Sequence, residues 1–140
     1  MANASTVGFG LRTTSTVGNT PATSGQSNYK IKSGLGVGIF KNNPVSLQDA
    51  GGDQGYLQDA SFATTDDTGS GGAAFDNTGH APLIGSFNGA FYIDSSTSKP
   101  TFANSVAAGT TFGTDYNTGS NDGIGFVNDN PQQEYVTKAD

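Results

Sequence analysis

Between residues 29 and 39 the chain alternates. Tyr29, Ile31, Ser33, Leu35, Val37 and Ile39 share one parity, and Lys30, Lys32, Gly34, Gly36 and Gly38 share the other. A two-residue period puts each set on its own face of an extended strand, so the segment reads as β with one apolar face. No window carries helical spacing with caps at its ends. Composition agrees: 21 Gly, 14 Ser, 17 Thr and 12 Asn make up nearly half of the 140 residues, and only 13% are charged. Aromatics still reach 10%, whereas disordered chains are poor in them. The expected fold class is all-β: a small antiparallel β-barrel or sandwich with long polar loops and an extended N-terminal arm. Residues 1–28 are the expected arm and residues 29–140 the expected β-barrel-like domain.

In the arm, Val7, Phe9 and Leu11 alternate with Gly8 and Gly10, and Arg12, the only arginine, follows. That pattern suits a frayed terminus or an extended segment that docks on a neighbour by strand addition. Ser33-Gly34 could turn the chain and pair 29–33 with 37–40. Asn42-Asn43-Pro44 is a second turn signal before a strand that begins at Val45. Glycine on one strand face marks close approach of another backbone, and the spacing is not that of a nucleotide loop. Residues 49–81 are loop-dominated, a partner-facing excursion or a flap, with one short strand at 56–60 and with Phe62 and Phe75 as anchors. Residues 82–94 read either as a hairpin through Asn88-Gly89 or as one long strand with a glycine bulge. Further strands are expected from Thr101-Phe102 and at 110–112, 123–127 and 135–138. Phe40, Phe87, Phe91, Phe102, Phe112 and Phe126 are the expected core anchors.

Several kinds of chemistry have no residues to carry them. There is no cysteine, which removes disulfides, thiol nucleophiles and thiolate metal sites. The single histidine, His80, has no serine in a nucleophile elbow to serve. Residues 115–122 loosely resemble a calcium loop but lack its sharp-turn glycine and its bidentate glutamate, so an ordinary polar loop is expected. Adjacent Asp66 and Asp67 read as solvated. A net charge of −6 opposes nucleic acid as a partner. No apolar run approaches the roughly 18 residues of a membrane span. Met1 to Gly10 does not read as a secretory signal. A non-enzyme without cofactor or metal is expected.

Three stretches carry a resemblance. One is Phe87-Asn88-Gly89-Ala90-Phe91-Tyr92-Ile93-Asp94 followed by Thr97, Lys99-Pro100-Thr101-Phe102 and Asn104. Another is Phe126-Val127-Asn128-Asp129-Asn130-Pro131 with Tyr135, Val136, Ala139 and Asp140. The third is Met1-Ala2-Asn3 with Gly8-Phe9-Gly10-Leu11-Arg12. Together they resemble small virion proteins of tailed phages, many from marine and cyanobacterial hosts, of the capsid decoration (cement) type. The resemblance implies one continuous strand through Phe87 to Ile93, and chains that run on past the Ala-Asp pair. It implies a place on the capsid exterior, with the major capsid protein as partner and a homo-oligomer, most often a trimer. Val7, Phe9 and Leu11 would then dock by apolar burial and Arg12 by pairing with a carboxylate. The alternatives are another virion part, such as a tail, neck or fibre-associated β protein, or a surface module that binds glycan or calcium.

Overall fold

The computed structural model describes residues 10–18, 20–21, 25–48, 53–60 and 83–137. Its strands are β1 (Arg12–Thr16), β2 (Thr20–Pro21), β3 (Gln26–Ile31), β4 (Ile39–Phe40), β5 (Pro44–Leu47) and β6 (Leu57–Asp59), then β7 (Leu83–Ile93), β8 (Pro100–Ala103), β9 (Ser105–Val106), β10 (Gly123–Asn128) and β11 (Gln133–Val136). There is no α-helix among the described residues. The largest sheet runs β3-β10-β7-β5-β6, with β8 pairing the second half of β7. A three-stranded sheet runs β11-β1-β2, and β4 pairs β9. All pairings are antiparallel.

No sheet closes into the expected barrel. The end strands β3 and β6 approach each other without a hydrogen-bonded ladder. Side chains span the gap instead. Lys32 pairs with Asp53, Tyr56 Oη donates to Asp122 Oδ1 at 2.9 Å, and Lys30 Nζ lies 3.3 Å from Asp122 Oδ2.

Ile31, Ile39, Val45, Leu57, Phe87, Val106 and Val127 are wholly buried, and Ala90 and Phe112 nearly so. Each large apolar side chain fully removed from water contributes about 1.5–3 kcal/mol. The core depends on what β10 omits. Its inward positions are Gly123, Gly125 and Val127. A Cβ on Gly125 would lie 2.7 Å from Leu57 Cδ2 and 3.0 Å from Ile31 Cδ1, and one on Gly123 2.9 Å from Phe112 Cε2. Large side chains from other elements therefore lie directly over bare backbone.

Several expectations are corrected. The hairpin of 29–33 with 37–40 does not form. Gly34 does turn the chain, at φ +77°, but β3 pairs along its whole length with β10, and β4 pairs with β9. β10 offers Gly125, over which Ile31 of β3 packs, and a neighbouring hairpin strand would not supply that bare position. Of 110–112, only Phe112 makes a bridge, to Asp94. Of the expected anchors only Phe87 and Phe112 lie in the core; Phe40 and Phe102 are 53% and 76% exposed, and Phe91 and Phe126 are half-buried outside it. Residues 82–94 do contain one long strand, β7, and its register slips at Asn88, between Gly89 opposite Phe126 and Phe87 opposite Val127. Phe62, Phe75, His80, Asp66 and Asp67 lie outside the described residues.

Gly125→Ala is expected to cost about 1–3 kcal/mol by overpacking, read as a lower urea midpoint. Gly36→Ala, where a Cβ meets open space, should leave the midpoint unchanged.

Burial opposes ionisation of Asp122, but hydrogen bonds from Ser120, Tyr56 and Lys30 and the Lys30 charge outweigh it and lower its pKa. A carboxyl with a lowered folded pKa stabilises fully above its unfolded value, and that contribution is lost as pH falls through the folded one. The chain should therefore lose stability on acidification below the ordinary value of 3.8. Asp122→Asn should lower the melting temperature at pH 7 and make the acid limb of a melting-temperature profile shallower.

Candidate functional site

Two surface features could serve recognition, and the first is the root of the N-terminal segment. Leu11 N donates to Asn42 O at 2.7 Å, and Asn42 N donates to Phe87 O at 2.7 Å. Ser86, wholly buried, donates its hydroxyl to Leu11 O at 2.6 Å. Leu11 is thus tied through Asn42 to the longest strand. Gly10 is the only residue type that suits the approach: its φ is +71°, and a Cβ there would fall 2.3 Å from Asn42 O.

Beyond this anchor Arg12 enters β1, opposite Val136 of β11. Arg12 is exposed and has no ion pair among the described residues; Val136 is 42% exposed. The three-stranded sheet is joined to the large one where Tyr135 Oη donates to Asn128 O at 2.8 Å. Tyr29 Oη donates to Asp129 Oδ2 at 2.7 Å just beyond, and that bond, with burial and the Asp129 charge, raises the Tyr29 pKa.

This placement concerns only part of the expected arm. Residues 12–16 do not extend freely, because β11 and β2 occupy the two sides of β1, and β3 already begins at Gln26. Of the four expected docking residues, Leu11 is half-buried and pinned, and Arg12 is presented at a fixed place. Val7 and Phe9 lie outside the described residues.

The second feature was not legible as a site. On the outward face of the large sheet, Phe91 of β7 lies opposite both Phe102 of β8 and Ile124 of β10. The Phe91 and Phe102 ring centroids are 4.8 Å apart, tilted by 50°. Phe102 and Phe126 are within 13° of parallel, at 6.5 Å. Beside them opens a cavity of about 220 Å³ lined by Asn88, Gly89 and Ala90 of β7, Phe102 and Ala103 of β8, Asn104 and Phe126. The clue in the sequence was parity: in residues 123–127 the glycines and Val127 share one face, which leaves Ile124 and Phe126 on the other.

The aspartate-rich loop at 115–122 is organised by its own turns. Asp115 accepts from Asn117 N at 2.9 Å and from Thr118 Oγ1 at 3.1 Å. Asp122 is occupied by Tyr56 and Lys30. Among the described residues no cluster of three or more His, Cys, Asp or Glu side chains is placed to hold a metal ion.

Ser86→Ala should remove the side-chain bond to the Leu11 carbonyl, at a cost of about 0.5–1.5 kcal/mol. Amide hydrogen exchange at Leu11 should accelerate more than at Val127. Equal acceleration at both would mean that the root and the core open as one unit.

Comparison with known protein families, with curated proteins and with solved structures found no match for this chain.

Proposed function

We propose that this chain is a phage capsid decoration protein that binds the outer surface of the major capsid shell and bridges neighbouring subunits. The observation that carries the reading is the anchored N-terminal root. Leu11 is tied to Asn42 and Ser86, so Arg12, which has no ion pair among the described residues, is presented from a fixed strand beside exposed Val136. A cation beside an apolar side chain suits a shell surface that offers a carboxylate at an apolar rim. A protein whose work is adhesion needs no reaction centre, and the motif resemblance points the same way.

In this reading the body is sandwich-like. The short β4–β9 ribbon, with Ile39 and Val106 wholly buried, packs over the inner face of the large sheet. Assembly as a homo-oligomer, a trimer by resemblance, would bury further surface and supplement a core of few large side chains. The place of action is the capsid exterior.

Binding to shells assembled from the major capsid protein tests this. Deletion of residues 1–9 leaves the Leu11 anchor in place, and Arg12→Glu reverses the presented charge. Each is expected to weaken shell binding at least tenfold in a co-sedimentation assay with the melting temperature unchanged. Full binding by both variants would overturn the reading.

A further inference from the structure

The cavity beside Phe102 is not used by shell docking through the N-terminal root, and it has the makings of a ligand site. It exists because Gly89 leaves the outer sheet face bare between two rings. Phe126 lies directly opposite Gly89 in the neighbouring strand, and the near-parallel rings of Phe102 and Phe126 stand 6.5 Å apart over this gap. Phe102 is 76% exposed and contributes little to the core. Its ring is nonetheless held in place by Phe91. An exposed aromatic steadied by a second aromatic is a ready stacking surface.

The polar part of the lining narrows the ligand class. Asn88 and Asn104 border the cavity, and neither side-chain amide hydrogen-bonds to another described residue. Each carboxamide offers both donors and an acceptor. No charged side chain lines the cavity, which disfavours phosphates, carboxylates and cationic ligands. A purely apolar ligand would leave the two amides unanswered, at a free-energy cost. A volume of about 220 Å³ lies below the roughly 300–1,000 Å³ of sites for drug-sized molecules, so one ring fits, with the rest of the ligand outside.

A neutral sugar ring meets these conditions together. Its C–H face is apolar and suits an aromatic ring, while its edge carries hydroxyls that both donate and accept. We propose that the cavity bordered by Phe102 and Phe126 binds one pyranose ring of a neutral glycan, with Phe102 as the stacking platform and Asn88 and Asn104 as partners for its hydroxyls. This site is separate from the proposed shell contact and does not depend on it.

The test is nuclear magnetic resonance titration of the full chain with cellohexaose, laminarihexaose, mannohexaose and chitohexaose, each in turn. At least one is expected to give saturable shifts of the Asn88 and Asn104 side-chain amides and of the Gly89 backbone amide. Phe102→Ala should weaken that binding at least tenfold without changing the melting temperature, and Phe102→Trp should retain it. Shell binding by Phe102→Ala should match the wild type, so failure here and failure of the shell reading are distinguishable. Absence of shifts at these three residues with all four sugars would overturn the proposal. So would undiminished binding by Phe102→Ala. Concentration-dependent self-association abolished by Phe102→Ala would also overturn it, by assigning the face to a second copy of the chain.

Discussion

The fit of Leu57 and Ile31 against Gly125, with Phe112 against Gly123, is the constraint on which the rest of the structure depends. A strand between two neighbours ordinarily contributes its large side chains to the core. β10 lies between β3 and β7 and does the reverse. Its backbone forms a floor for side chains delivered from β3, from β6 and from the segment before β10. Two of its three inward positions are bare, and its outward ones carry Ile124 and Phe126. Cross-strand pairing then aligns these with Phe91 and, one strand further, with Phe102. The aromatic outer face is a consequence of how the inside is filled.

The same sheet remains open because its two ends meet through side chains. Asp122 is the centre of that contact: it accepts from the Tyr56 phenol and from Lys30, while Lys32 reaches Asp53. Side-chain bonds tolerate a gap that a backbone ladder would not, and they make the junction sensitive to acid. All seven carboxylates of the described residues take part in such bonds or in turns. The acidity of the described residues is spent on structure, and the exposed Arg12 stands out against it.

Local β character was legible in the sequence, and pairing was not. Alternation at 29–39 caught only the end of β3 and the start of β4, with 32–38 between them outside any strand; Ser33-Gly34 marked a turn, Asn42-Asn43-Pro44 marked the entry to β5, and the 82–94 stretch contained β7. What alternation lacks is any statement of which strand lies alongside. β3 finds β10, more than ninety positions away, because β10 has the glycines that accept Ile31. The phenylalanines were misread for a related reason. Ring size suggests burial, but Phe102 sits opposite Phe91 on a face that no other strand of the described residues covers. The root of the N-terminal segment was legible as extended, yet Ser86 and Asn42, which hold it, bear no mark of that role in the chain.

The two proposed surfaces belong to one body: a root that presents Arg12 beside the C-terminal strand, and an aromatic cavity at the bulge of β7. Shell docking by the first is tested most directly by electron cryo-microscopy of virions that carry the protein. The expected result is density for the body at regular threefold or quasi-threefold positions on the capsid exterior, with residues 10–16 against the shell and the Phe102 cavity uncovered. Density confined to the tail, or no association with particles, would contradict it.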